Sequence, residues 1–173
     1  DMTASQPSTP FGRRPLTLGQ IATGRQVREA IEEAAKPGAN LPQAVNKWRV
    51  FRCLTEIRHR IAVSDRALSV LNALLSFHQE TALTLPKTTG GEGAEDLVVF
   101  QSNKALGLRA HGMAPATLRR HLASLVDAGL IIRRDSPNGK RYARKSEEGE
   151  DALTQAFGFD LSPLVARATE EAA

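Results

Sequence analysis

The stretch Gln101–Lys145, QSNKALGLRAHGMAPATLRRHLASLVDAGLIIRRDSPNGKRYARK, organises the rest of the chain. Ser102 stands where a helix N-cap is needed, and Ala105, Leu106 and Leu108 to Ala110 supply apolar contacts before His111-Gly112 interrupts the pattern. A second helix is predicted from Ala114-Pro115, since proline is tolerated in a first turn whose amides lack partners, and Gly129 closes it. Within it Leu118, Leu122, Leu125 and Val126 recur at i, i+4, i+7 and i+8, which buries one stripe. Leu130-Ile131-Ile132 then reads as a strand, Asp135-Ser136-Pro137-Asn138-Gly139 as turn chemistry, and Lys140 to Lys145 as a returning strand. Two helices around a glycine-containing turn, followed by a charged hairpin, make the pattern of a winged helix-turn-helix.

At about 100° per residue the side of the second helix opposite its leucines carries Ala116, Thr117, Arg120, Ala123, Ser124 and Asp127, with Arg119 and His121 on the flanks. The hairpin is basic on both arms through Arg133, Arg134, Lys140, Arg141, Arg144 and Lys145. Such a surface suits a DNA duplex, with the helix in the major groove and the wing along phosphate. Ala116, Thr117, Arg120 and Ser124 are therefore predicted to face base edges. Arg119, His121, Ser102, Lys104 and the wing residues are predicted to hold phosphate, and Asn103, Ala114 and Asn138 complete the expected DNA-binding set.

Charge mapping supports that reading. The net charge of +4 looks modest, yet residues 101–145 hold ten basic and two acidic side chains, a local +8, and the remaining residues hold thirteen basic and seventeen acidic ones, a local −4. This concentration on one motif is the electrostatic footprint of a nucleic-acid face. At 173 residues the chain is long enough to bury a real core, with roughly 70% of the unfolded surface removed from water. Cys53 is the single cysteine, which excludes a disulfide framework within the chain and fits a reducing compartment. No apolar run approaches the ~18 residues of a membrane span, and the N-terminus lacks the apolar stretch of a secretion signal, so a soluble, cytoplasmic protein is expected.

Taken in order, residues 1–15 read as a flexible arm with three prolines, whose Arg13 and Arg14 are candidates for DNA contact. Residues 16–63 read as N-terminal helices. One starts near Thr17 and stops at Pro37-Gly38; a stronger one is predicted from Pro42 to about Val63, with Val50, Leu54, Ile57 and Ile61 as its stripe. Lys47, Arg49, Arg52, Arg58 and Arg60 surround that stripe, the arginines reading as a solvated face or salt-bridge partners rather than DNA ligands. Residues 64–145 form the winged helix-turn-helix, whose first helix, Asp65 to Phe77, is capped by Ser64 and apolar over more than half its circumference. Gln79 to Gly93 loses pattern and reads as a loop, and Leu97-Val98-Val99-Phe100 as a short strand. Residues 146–173 read as a linker and a C-terminal helix opened by Asp160-Leu161-Ser162-Pro163. The expected fold class is mainly α with a small β-sheet, a winged helix-turn-helix with extra N-terminal and C-terminal helices.

His59, His78, His111 and His121 have no metal-ligand spacing, Gly90-Gly91-Glu92-Gly93 lacks the lysine and helix of a phosphate loop, and no nucleophile motif is present. No cofactor, no metal and no enzymatic activity are expected.

Several blocks together resemble the N-terminal region of RepC-type replication initiators of repABC plasmids. They are Thr9 to Arg14 (TPFGRR), Ala67 to His78 (ALSVLNALLSFH), Asp96 to Phe100 (DLVVF), His111 to Leu122 (HGMAPATLRRHL), Gly129 through Lys145, and Phe157 to Leu164 (FGFDLSPL). HGMAPATLRRHL and DSPNGKRYARK are long and are not generic to winged helices; Asp1-Met2 and the loop Gly90 to Glu95 lie outside the resemblance. It implies binding to a plasmid origin, which in that family lies within the initiator's own coding region, and initiation of replication there. It also implies a longer parent protein with a further C-terminal domain. A recognition role carries over to Thr117, Arg119 and Arg120, and a wing role to Lys140 and Arg141. Double-stranded DNA is the expected partner, with self-association and host replication proteins as further candidates and no membrane. Two other readings of the same residues are a dimeric winged-helix transcriptional regulator and a winged helix used as a protein-interaction module.

Overall fold

The most apolar helical run of the sequence, Asp65–Phe77, becomes the central helix of the structure, a computed structural model that describes residues 8–9, 12–13, 17–39, 44–86, 97–135 and 157–172. The Ser64 hydroxyl caps it by accepting from the Ala67 amide at 3.1 Å. Ala67, Leu68, Val70, Leu71, Ala73, Leu74 and Leu75 are all buried, too many for a one-sided helix, so neighbours must cover it on several sides. We call it α3.

Helix α1 (Leu18–Ala35) opens with a reciprocal capping box, in which the Gln20 amide donates to the Thr17 hydroxyl and the Thr17 amide to the Gln20 side chain, both at 3.2 Å. Thr23, Val27 and Ile31, one turn apart, form its buried stripe. Helix α2 (Lys47–Glu56) is shorter than the helix predicted from Pro42 to Val63. Its start is moved by Asn46, whose side-chain oxygen accepts from the amides of Trp48 and Arg49, while Ala44–Asn46 pairs as strand β3 with β4 (Ala82–Thr84). Its end comes at Glu56, and residues 57–62 turn back so that Ile57 and Ile61 still pack on the core, with Ala62 at a positive φ of 54°.

The β3–β4 pair also corrects the predicted loop over Gln79 to Gly93, because Leu83 is fully buried and Leu85 nearly so. Lys47 fastens this corner. Its backbone amide donates to the Thr81 carbonyl at 2.9 Å, and its ammonium donates to the carbonyls of Leu75 and His78 at the carboxyl end of α3. Burial holds that ammonium below the ordinary lysine value, and the helix-end carbonyls are what make an almost fully buried cation tolerable.

The described strands also include a short pair, β1 (Ser8–Thr9) with β2 (Gly12–Arg13), and a three-stranded antiparallel sheet. That sheet contains β5 (Val98–Val99), β6 (Ile132–Asp135) and β7 (Phe157–Asp160) in the order β5-β7-β6. The central strand is thus supplied by a segment expected to be linker, while the returning strand predicted at Lys140 to Lys145 lies outside the described residues. Gly158 is required there: a Cβ would sit 2.4 Å from a methyl of Val98 and 2.7 Å from the Phe100 ring.

The described residues include three further helices, α4 (Asn103–Arg109), α5 (Pro115–Asp127) and α6 (Ser162–Ala172). The fold is mainly α with small antiparallel sheets. Leu71, Leu74 and Leu75 of α3 share one buried core with Leu106, Leu118, Leu122 and Leu125 of α4 and α5 and with Leu161, Leu164 and Val165 at the start of α6. Each such side chain contributes about 1.5–3 kcal/mol when fully buried.

Candidate nucleic-acid interface

The geometry of α4, its turn and α5 follows from residues that act on their near neighbours. The Ser102 hydroxyl accepts from the Ala105 amide at 3.1 Å and starts α4. Residues 110–114 then reverse the chain, with His111 and Gly112 both at positive φ, 63° and 72°. The Met113 amide donates to the Gly107 carbonyl at 3.0 Å, which draws the turn onto the face of α4. Gly107 makes this approach possible, since a Cβ there would lie 2.9 Å from the Met113 carbonyl oxygen. Pro115 opens α5 at its first turn. At the far end the Leu130 amide donates to Leu125 and the Gly129 amide to Val126, with Gly129 at φ 75°, the paired bonds of a glycine-terminated helix end.

This places Leu118, Leu122 and Leu125 in the core and leaves the opposite ridge of α5 outward. Ala114, Ala116, Arg119 and Arg120 are exposed; Thr117, His121 and Ser124 are half-buried. On α4 Lys104 is exposed, and Ser102 and Asn103 are half-buried at its start. Among the described residues, the side chains of Lys104, Arg119 and Arg120 have no hydrogen-bond or ion-pair partner, so their charge is available to a ligand. The second half of the ridge is more enclosed. Ala123, Ser124, Asp127 and Ala128 line a cleft of about 440 Å³ together with Arg120 and with Ile61 and Ala62 of the α2–α3 turn. Of the positions predicted to face base edges, Ala116 and Arg120 are exposed, Arg120 at the edge of this cleft, while Thr117 and Ser124 are half-buried.

His121 occupies the flank facing α3. Burial first, then the positive charges of Arg120 and Arg66, hold its imidazole below the usual histidine value, so it is neutral at neutral pH. It can offer a hydrogen bond to phosphate but not a charge.

Other cations already have protein partners. Arg109 stacks over the Phe77 ring at 3.7 Å and donates to the Ser76 hydroxyl at 3.3 Å, which ties the end of α4 to the end of α3. Arg133 lies over the Phe159 ring at 5.9 Å. Arg134 donates through Nε to Asp160 Oδ2 at 3.1 Å. Asp160 is buried, and its other oxygen accepts from the amide and hydroxyl of Ser162 at the start of α6. A carboxylate at a helix N-terminus that also holds an arginine ties β6, β7 and α6 together. Of the predicted wing cations, Arg133 and Arg134 thus contribute to the sheet itself. Sequence periodicity could not show this, because Phe159 and Asp160 are distant along the chain. Asn138, Lys140, Arg141 and Arg144 lie outside the described residues, as does Arg14; Arg13 is placed only by its backbone in β2.

Among the described residues there is no cluster of His, Cys, Asp or Glu able to hold a metal ion, and no helix long and apolar enough to cross a membrane. Residues 14–173 match the family model described as the replication protein C N-terminal domain. The chain belongs to the replication protein C family. Among curated members of that family, a replication protein C from Sinorhizobium fredii (strain NBRC 101917 / NGR234) is 52% identical over 163 residues, and one from Rhizobium rhizogenes is 48% identical over 163 residues. Each alignment covers 94% of this chain and 36% of the relative, so the chain spans about a third of the length of these replication protein C relatives. No solved structure matches it.

Proposed function

We propose that this domain binds double-stranded DNA at a plasmid origin, as the sequence-reading part of a replication initiator, through a winged helix-turn-helix whose recognition helix is α5. The observation that carries the proposal is the outward ridge of α5, where Arg119 and Arg120 stand exposed and unpaired among the described residues beside small side chains that let a backbone approach. Membership of the replication protein C family supports the target. Ala116, Thr117 and Arg120 read base edges in the major groove, and Arg119, Lys104 and the basic residues beyond β6 hold phosphate. Self-association, host replication proteins and the remaining two thirds of the relatives' length are where unwinding or assembly would enter.

The test is footprinting and fluorescence anisotropy on duplexes tiled across the chain's own coding sequence, against random duplex at the same salt. Arg120→Ala should cost about 1–3 kcal/mol on the preferred site and relax preference at one base pair. Lys104→Ala should weaken all duplexes alike and lower the log–log salt slope by about 0.9. Equal binding of Arg120→Ala and the parent chain to both preferred and random DNA would remove α5 from the recognition role.

A further inference from the structure

The cations of this domain divide into those already engaged and those without a partner. Lys36, Lys47, Arg58, Arg109 and Arg134 make ion pairs or hydrogen bonds within the fold. Arg60 and Arg66 do not: both are exposed, and among the described residues neither side chain has an ion-pair or hydrogen-bond partner. In the chain Arg60 directly precedes Ile61 and Ala62, the two turn residues that line the cleft with Arg120, Ser124 and Asp127 of α5, and Arg66 follows them in the first turn of α3. Arg66 is near enough to α5 for its charge to disfavour protonation of His121.

The turn that presents Arg60 is held in place. The Arg60 amide donates to the Ile57 carbonyl at 2.8 Å and the Val63 amide to the Arg58 carbonyl at 3.2 Å. Ile57 and Ile61 pack on the core, Ala62 takes a positive φ, and the Arg58–Asp65 ion pair at 3.0 Å spans the turn. That pair also satisfies Asp65, the carboxylate nearest in sequence to Arg66. Arg60 on the braced turn and Arg66 in the first turn of α3, both exposed and without an ion-pair partner among the described residues, have the chemistry of a phosphate contact.

We propose that Arg60 and Arg66 form a second phosphate-binding ridge, so that the duplex lying on α5 continues across the cleft onto the α2–α3 turn and the first turn of α3. This rests on the DNA-binding reading of α5 and extends its footprint to a surface that the helix-turn-helix pattern does not include. Phosphate contacts of this kind set register and affinity without reading sequence.

The test compares the chain with Arg60→Ala/Arg66→Ala, Arg49→Ala/Arg52→Ala and Arg120→Ala by anisotropy on preferred and random duplex over a salt series. Arg49 and Arg52 are exposed on α2 and give the same change in charge away from the cleft. The ridge predicts that Arg60→Ala/Arg66→Ala lowers the log–log salt slope by about 1.8, two contacts at about 0.9 each, and leaves the ratio of preferred to random binding unchanged. Arg60→Lys/Arg66→Lys should restore most of the slope, which a folding defect would not. If Arg60→Ala/Arg66→Ala matches the parent, or only equals Arg49→Ala/Arg52→Ala, while Arg120→Ala still loses preference, the ridge is overturned and the α5 reading stands. If Arg120→Ala also leaves binding unaltered, the reading of α5 fails and the ridge with it.

Discussion

The helix pair α4–α5 and the sheet β5-β7-β6 sit in one core but are specified in opposite ways. In the helix pair the interactions that set the caps and the turn are local: Ser102 to Ala105, Met113 to Gly107, Gly129 to Val126 and Leu130 to Leu125. In the sheet the decisive interactions join residues far apart, Val99 with Phe159, Ile132 with Asp160 and Arg134 with the Asp160 carboxylate. The candidate reading surface is thus mounted on the part whose geometry is settled by near neighbours, and the polar network lies in the part that secures it. A site that must keep side chains at a set spacing along a helix gains from being specified independently of the distant strands.

Substitutions on either side should behave differently. The largest effect is expected from Leu118→Ala, which empties a fully buried position between α5 and the core and should lower unfolding free energy by about 2–5 kcal/mol in urea melts. A loss well below that range would mean that α5 is not seated as described. Next comes Asp160→Ala, which removes the acceptor of Arg134 and Ser162 at once; about 1.5–3 kcal/mol is expected, as for hydrogen bonds to a charged group. A double-mutant cycle with Arg134→Ala should show coupling of at least ~0.5 kcal/mol, and strict additivity would show that the sheet does not depend on this pair.

Gly107→Ala is expected to cost about 1–3 kcal/mol by forcing the Met113 carbonyl away from α4. Its sharper signature is weaker DNA binding under conditions where the variant is still fully folded, because the turn that aims α5 has moved. The smallest effect concerns pH. The imidazole of His121 is held below its ordinary value of 6.5 in the folded chain, so between that value and the lower folded one the unfolded chain binds more protons. Stability should therefore rise with pH up to about 6.5 and level off above it, and His121→Gln should flatten that rise in thermal melts at pH 5 to 7.5.

The same contrast explains what the sequence made legible. Caps, the proline at the start of α5, the glycine at its end and the leucine spacing lie within a few residues of what they control, so α3, α4 and α5 can be read directly. The helix expected from Pro42 to Val63 is cut back by a strand pairing with Ala82–Thr84 and by a turn that seats Ile57 and Ile61, neither of which local periodicity encodes. Phe157–Asp160 reads as linker and helix start until its partners at 98–99 and 132–135 are known. For the interface, helical phasing identified the outward ridge, but it could not tell that Arg133 and Arg134 have partners across the sheet or that the α2–α3 turn stands beside Arg120.

The pairing of Asp135 with Phe157 has a corollary for chain length. Because those two residues are opposite each other in the ladder, the chain leaves the sheet and re-enters it at adjacent points, whatever lies between. Closing a longer excursion costs little, about 0.6 kcal/mol for each doubling of length. The connection between Asp135 and Phe157 can therefore lengthen at little cost in closure entropy. A peptide tag inserted in that connection is expected to leave the Asp135–Phe157 pairing in place, which makes it a practical position at which to label the domain.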